Sequence, residues 1–292
     1  MKILLFGKNG QLGREFLKIL PKLGELTCLD QNDIDLSKTQ LIPKILQELK
    51  PNLIVNASAY TAVDRAETEE QLAMKVNALA PGVMAEWARK SGSLFIHYST
   101  DYVFDGTKGS PYTEDDTANP LNVYGRSKLA GEQAILQAGD AYLIFRTSWV
   151  YSMHGNGFIN KVLEWARRNK TLKIVNDQIS NPTWAHDLAN VTYQLLTQNP
   201  AKLMDMIRER RGIYHLAGSG YASRYEWAQQ ILTNDSNRTE QLVQSIQPVS
   251  SDEFPTPAIR PLFSALDCSK FETTFQLRMP DWKISLQNAM QE

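Results

Sequence analysis

Lys2-Ile3-Leu4-Leu5-Phe6-Gly7-Lys8-Asn9-Gly10-Gln11-Leu12-Gly13-Arg14-Glu15-Phe16, at the amino terminus, is the stretch that decides the fold. An apolar run of strand length meets a turn with glycines at 7, 10 and 13, and beyond it the pattern changes period. Leu12, Phe16, Ile19 and Leu20 recur at helical spacing and supply a face to bury. Glycine accepts positive φ and has no Cβ, so backbone amides can approach a pyrophosphate at the positive end of the following helix. A glycine-spaced motif is weak alone and could be an ordinary turn. Between a first strand and a first helix it has the context of a dinucleotide site. Gly7, Gly10, Gln11, Leu12 and Gly13 are therefore expected to bind a nicotinamide cofactor.

Working outward, Glu25 to Leu29 is a second short strand that ends on Asp30. An acid there accepts from adenosine ribose hydroxyls and disfavours a 2'-phosphate, which favours NADH. Lys8 and Arg14 pull the other way, because either cation could attract that phosphate. Both NADH and NADPH stay open. Asp35 and Leu36 could flank the adenine, although Asp35 and Ser37 also suit helix caps. Leu53 to Ala57 is a buried strand followed by a loop in which Ala59, Tyr60 and Thr61 would line the ligand crevice.

Chemistry enters with the next strand. Leu94 to Asp101 is apolar until it ends in Ser99, Thr100 and Asp101. Among eleven tyrosines, Tyr124 alone has a lysine four residues on, Lys128. On a helix the two share a face, so the ammonium could stabilise the phenolate and tune it for acid/base work. The plainer alternative is two solvated helix residues. Thr100 could hold a substrate carbonyl oxygen while Tyr124 protonates it, and an ionised Asp101 could accept from a substrate hydroxyl. Trp149 offers a stacking surface, or is a core tryptophan.

Together these motifs resemble the extended short-chain dehydrogenase/reductases, and among them the dTDP-4-dehydrorhamnose reductase family. The runs Gly7 to Gly13, His97 to Gly106, Pro120 to Glu132 and Arg146 to Tyr151 carry the likeness. Asn176-Asp177-Gln178, Pro182-Thr183, Asp187-Leu188-Ala189, and Arg260-Pro261 with Ser264 add to it. The resemblance implies Thr100, Tyr124 and Lys128 as catalytic residues, Lys128 also holding the nicotinamide ribose. It implies substrate contacts by Thr100, Asp101 and Trp149. The activity implied is reduction of the 4-keto group of dTDP-4-dehydro-6-deoxy-L-mannose to dTDP-L-rhamnose, the last step of dTDP-rhamnose biosynthesis. Related readings are a sugar-nucleotide epimerase or dehydratase, and a non-catalytic subunit resembling the regulatory subunit of methionine adenosyltransferase. The resemblance allows a homodimer and a magnesium ion at its interface, Glu15 matching one ligand position. His186 stands where another glutamate is expected, Glu292 could add a carboxylate, and magnesium prefers oxygen, so no residue is assigned as a metal ligand. Arg224 replaces a tryptophan common in relatives.

Up to about Arg146, strands alternate with longer helical patterns, the sequence form of a doubly wound, Rossmann-type parallel sheet. Residues 1–148, joined by about 183–211, are expected to form that domain. Residues 149–182 and 212–292 are expected to form a smaller α/β substrate-binding lobe over the carboxyl ends of the strands. Phe158 to Ala166 and Tyr225 to Leu232 read as its helices, Leu172 to Val175 as a strand, and Arg260 as its candidate for a nucleotide diphosphate. Ala201 to Arg211 reads as a solvated amphipathic insertion. The net charge of −1 offers nucleic acid or anionic membrane no attraction. No apolar run reaches spanning length, the two cysteines do not form a disulfide scaffold, and the cytoplasm is the expected compartment. The four histidines lack paired ligand spacing and read as packing or surface residues.

Overall fold

The structure, a computed structural model, describes residues 1–155 and 157–291. The first half is a strand-helix alternation: β1 (Lys2–Phe6), α1 (Gln11–Ile19), β2 (Glu25–Leu29), α2 (Ile42–Leu49), β3 (Leu53–Asn56), α3 (Val63–Ala66), α4 (Glu70–Met74), α5 (Ala80–Ser91), β4 (Leu94–Thr100), α6 (Val123–Ala138) and β5 (Tyr142–Thr147). A π-helical turn, Lys75–Leu79, joins α4 to α5. The second half continues with β6 (Val150–Tyr151), α7 (Phe158–Ala166), β7 (Thr171–Val175), β8 (Ile179–Ser180), β9 (Thr183–Trp184) and α8 (Ala185–Thr197). It closes with α9 (Leu203–Glu209), β10 (Gly212–His215), β11 (Ala222–Ser223), α10 (Arg224–Asn234), β12 (Ser245–Val249), α11 (Ser269–Phe275) and α12 (Trp282–Ala289).

One six-stranded sheet in the order β2-β1-β3-β4-β5-β10, parallel throughout, carries the architecture. Its strands are apolar on both sides because both faces are covered. Ile3 and Leu5 point to a core shared with Phe16 of α1 and Leu188 of α8, whereas Leu4 and Phe6 join Leu46, Met84 and Ile135 of α2, α5 and α6. Strand order reverses between β1 and β3, so a crevice opens past the carboxyl ends of those strands. The doubly wound parallel sheet is the expected fold class.

A second core, centred on Trp227, Tyr151 and Trp184, ties α7, α10 and α12 to the short strands β6, β7 and β9. The expected lobe boundary at 212 is corrected by the sheet. β10 runs beside β5, Ile213 opposite Ile144, as the edge strand of the large sheet. Likewise α11 buries Phe271 and Phe275 in the core beneath α1 and α8. A long connection ending in α9 returns the chain to that edge, which local periodicity does not reveal. The Ala201 to Arg211 insertion is not wholly solvated: α9 buries Leu203 and Ile207 in the same core.

Candidate active site

The glycine turn has the geometry its spacing suggests. Gly7 adopts φ +89°, and a Cβ on Gly13 would stand 2.0 Å from the Gly7 carbonyl oxygen. α1 therefore starts against the end of β1 only because position 13 has no side chain. Gly10 caps α1 without a side-chain hydrogen bond, which leaves the helix's first amides open to an anion. Gly7, Gly10, Gln11 and Leu12 line a cleft of about 1080 Å³, with Gly13 behind them. Asp35, Leu36, Ala59, Tyr60 and Thr61 line the same cleft, as does Asp30.

Asp30 is already engaged by neighbours. Its carboxylate accepts from the Asn9 amide and from the Asn32 backbone N–H at 2.8 Å. Lys8 bonds Asp33 at 2.6 Å, with Asp30 4.0 Å away. Asp35 accepts from the Ser37 amide and hydroxyl at 3.0 and 2.6 Å, a local turn like the cap foreseen as its alternative role. The loop with Ala59 to Thr61 is pinned by Asn77 in the π-helical turn. Its side chain accepts from Tyr60 N at 2.8 Å and donates to Tyr60 O at 3.1 Å and Ser127 Oγ at 2.9 Å.

Thr100, Asp101, Tyr124, Lys128 and Trp149 all border this cleft. The α6 N-cap that sets Tyr124 in place is Asn122, whose side chain accepts from Gly125 N at 2.8 Å. Burial pushes the Tyr124 phenol well above its usual range, and hydrogen bonding by Thr100 pulls it only partly back. Lys128, expected to lower this value, has no part in the shift. Lys128 turns its amine elsewhere, donating to Tyr98 O at 2.6 Å and lying 3.2 Å from His97 Nε2. Buried to 1% exposure, its amine is pushed down to about 8 by desolvation, against an upward pull from Glu132.

Asp101 also departs from expectation. It is 2% exposed, and its oxygens accept from Thr100, Ser180 and Ser264 hydroxyls at 3.1, 3.1 and 2.5 Å. Burial raises its carboxyl, the hydroxyls offsetting part of the rise. Rather than a free acceptor for substrate, it ties β4 to β8 and to the segment at Ser264. Arg260 is placed outside this cleft, bidentate to Asp64 at 3.0 and 2.8 Å, with Thr256 and Ala258 O as further acceptors. It lines a second cleft of about 1130 Å³ between α7, β7 and the 251–262 loop. Its guanidinium is paired with Asp64 at the wall of this second cleft.

Arg224, unassigned in the sequence, borders both clefts. Its guanidinium lies 3.7 Å over Trp149 and 5.5 Å from Trp227, and burial lowers it to about 10. Trp149 itself sits at φ +39°, an uncommon backbone state for a bulky residue, and stacks on Trp227 at 5.5 Å. Asn56 and Asn77 were the site neighbours that motif reading missed, while His97 and Arg224 were noted without a role in the site. No spacing signal marks them, because their partners lie on other elements.

The residues near Glu15 do not fit a magnesium ion. Both Glu15 oxygens accept from Lys18 Nζ at 2.9 Å, and His186 Nδ1 lies 3.2 Å from the second. An ammonium already occupies the carboxylate, and among the described residues no group of three or more His, Cys, Asp or Glu could hold a metal. Glu292 lies outside the described residues. Among those residues, no helix is long and apolar enough to cross a membrane.

Over residues 1–292 the chain matches the family described as RmlD substrate binding domain. The chain belongs to that family. A dTDP-4-dehydrorhamnose reductase of Burkholderia thailandensis is 39% identical over 98% of this chain and 97% of that protein. A crystal structure of such a reductase from Clostridium acetobutylicum superposes with a TM-score of 0.90 at 36% identity, covering 100% of this chain and 99% of the other. The Bacillus anthracis reductase, solved in complex with NADP, gives 0.87 at 31% identity over 99% and 98% of the two chains. This RmlD-family chain thus shares its fold with those enzymes from end to end.

Proposed function

We propose that this chain reduces the 4-keto group of dTDP-4-dehydro-6-deoxy-L-mannose to dTDP-L-rhamnose with NADPH or NADH, completing dTDP-rhamnose synthesis. The observation that carries this reading is the likeness to dTDP-4-dehydrorhamnose reductases over nearly the whole of both chains. The glycine cradle, too tight for a Cβ at position 13 and open at the α1 amides, fits a dinucleotide pyrophosphate. When bound, the nicotinamide supplies the hydride.

The chain's own residues supply the rest. Thr100 Oγ1 turns its one proton from Asp101 to the ketone oxygen and holds it against the Tyr124 phenol. A phenol kept protonated by burial is a proton donor, and Tyr124 gives its proton to that oxygen as negative charge develops. Lys128 binds the nicotinamide ribose hydroxyls and sets the distance from cofactor to Tyr124. Asp101 holds Thr100 and the Ser264 segment rather than the sugar. Trp149, braced by Arg224 and Trp227, walls the sugar site. The dTDP moiety extends past Arg224 into the second cleft, where Phe158, Ile174 and Leu262 offer apolar walls.

The same reading makes the chain a homodimer, on family resemblance, and places it in the cytoplasm, in keeping with two partly buried free thiols. The test is absorbance loss on mixing purified protein with dTDP-4-dehydro-6-deoxy-L-mannose and NADPH or NADH separately. Stoichiometric oxidation, absent from Tyr124→Phe, supports the reductase. Cofactor binding without oxidation would sink it, and turnover without net oxidation would point to an epimerase or dehydratase.

A further inference from the structure

Behind the cleft runs a buried chain of polar groups whose donors and acceptors can be counted. Asn56 ends β3 and stands opposite His97 in the parallel register with β4. Asn56 Oδ1 accepts from the Ser58 backbone N–H at 3.2 Å and from Ser58 Oγ at 2.5 Å. A backbone N–H can only donate, so this fixes the amide's orientation and turns Nδ2 towards His97 Nδ1, 3.0 Å away. An amide nitrogen also only donates, so Nδ1 must accept. A neutral ring then carries its proton on Nε2, the atom 3.2 Å from Lys128 Nζ.

An ammonium has three donors and no acceptor. Facing an Nε2–H it would set donor against donor between two buried side chains, at 0% and 1% exposure, at the wall of the cleft. Shifting the proton to Nδ1 only moves the conflict to Asn56. An uncharged amine resolves it, donating to Tyr98 O at 2.6 Å and accepting from His97 with its lone pair. We infer that His97, locked by Asn56 as an Nε2–H donor, is a positioning residue that favours the uncharged amine of Lys128 over its cation in the unliganded enzyme. When Lys128 releases the ring for the cofactor ribose that bias is lifted, and the amine can donate to the ribose hydroxyls as a cation.

The other titratable or charged groups around Lys128 are Tyr98 on β4, Tyr124 and Glu132 on α6, and Arg146 on β5. Glu132 is held by Arg146 at 3.0 and 2.7 Å and by Ser99 at 2.5 Å. It pulls the amine towards protonation while desolvation pulls it down further, and burial drives the neighbouring His97 well below its ordinary value, a proton on Lys128 lowering it more. Tyr98 bonds Thr192 at 2.7 Å, and burial keeps its phenol protonated. Asp101 stands beside Tyr124 and opposes ionisation of its phenol.

Two measurements test the inference, which rests in part on the proposed reductase. Long-range proton–nitrogen NMR of the 15N-labelled full-length protein reads the tautomer directly, His97→Gln assigning the signal among four histidines. The expected result is an Nε2–H ring between pH 6 and 9; an Nδ1–H or doubly protonated ring overturns the inference. That readout needs no turnover, so it separates this idea from a failure of the proposed function. For the pH profile of kcat/KM with NADPH, Asn56→Leu frees the ring to accept from an ammonium, and His97→Gln presents a carbonyl oxygen instead. In each the alkaline limb should move up by about one pH unit. A lower melting temperature or kcat in both variants with the limb unmoved means a purely structural role and overturns the proposal.

Discussion

At the scale of single residues, the site is built from groups whose buried state decides their protonation. Tyr124 is a protonated phenol because burial disfavours its anion, so its use is donation. Tyr124→Phe should retain cofactor affinity and lose roughly 10²–10⁴-fold in kcat, as removal of a general acid does. Lys128→Ala should weaken both cofactor affinity and turnover. Cofactor titration beside steady-state kinetics separates the two. His215 makes a pH prediction. Its ring is buried and lowered to about 3, burial being the main cause and the Arg146 charge the next. The unfolded chain binds a proton near pH 6.5 that the folded chain refuses, so this contribution is full above 6.5 and is lost as pH falls towards 3. Melting temperature should drop less steeply from pH 6.5 to 4.5 in His215→Gln than in the parent; equal slopes would refute it. The Tyr124–Lys128 spacing was legible because both lie within one helical turn. The tuning of each was not, because His97, Thr100 and Tyr98 come from another strand.

At the scale of elements, close approaches are made by glycines. Gly13 lets α1 start against the end of β1, and Gly131 lets α6 press on the π-helical turn, where a Cβ would lie 2.1 Å from Asn77 O. Gly13→Ala should cost roughly 1–3 kcal/mol through forced backbone shift and should also abolish tight NADPH binding, read by thermal melting and titration. The glycine loop was readable from sequence because strand, turn and helix are contiguous. The π-helical turn was not, since nothing in Lys75-Val76-Asn77-Ala78-Leu79 distinguishes a π-turn from an α-helical stretch with two weaker formers, Val76 and Asn77. It is identified only by where Asn77 points. Arg260 shows the converse: its residue type suggested phosphate, but Asp64, far away in sequence, holds it. Asp64→Asn should cost up to about 1 kcal/mol, because the pair is partly exposed, while raising KM for the sugar nucleotide and leaving KM for NADPH unchanged. An unchanged substrate KM would show that the 255–262 loop does not depend on this pair.

At the scale of the whole molecule, the parallel sheet, its two covering layers and the crevice at the strand ends were legible, because parallel α/β architecture is written as local alternation; the strand order was not. The boundary between lobes was not, since β10 and α11 rejoin the large sheet and its core after a long excursion. That excursion means the catalytic half is finished by the end of the chain. Asp101 waits for Ser264, Asp64 for Arg260, and the core under α1 for Phe271 and Phe275. During synthesis the carboxyl-terminal residues are the last to leave the ribosome, so the nascent chain passes through a state in which the glycine loop, Tyr124 and Lys128 all exist but Asp101 lacks one of its three hydroxyl partners. The scaffold behind the cleft therefore depends on contacts made by residues that are translated late.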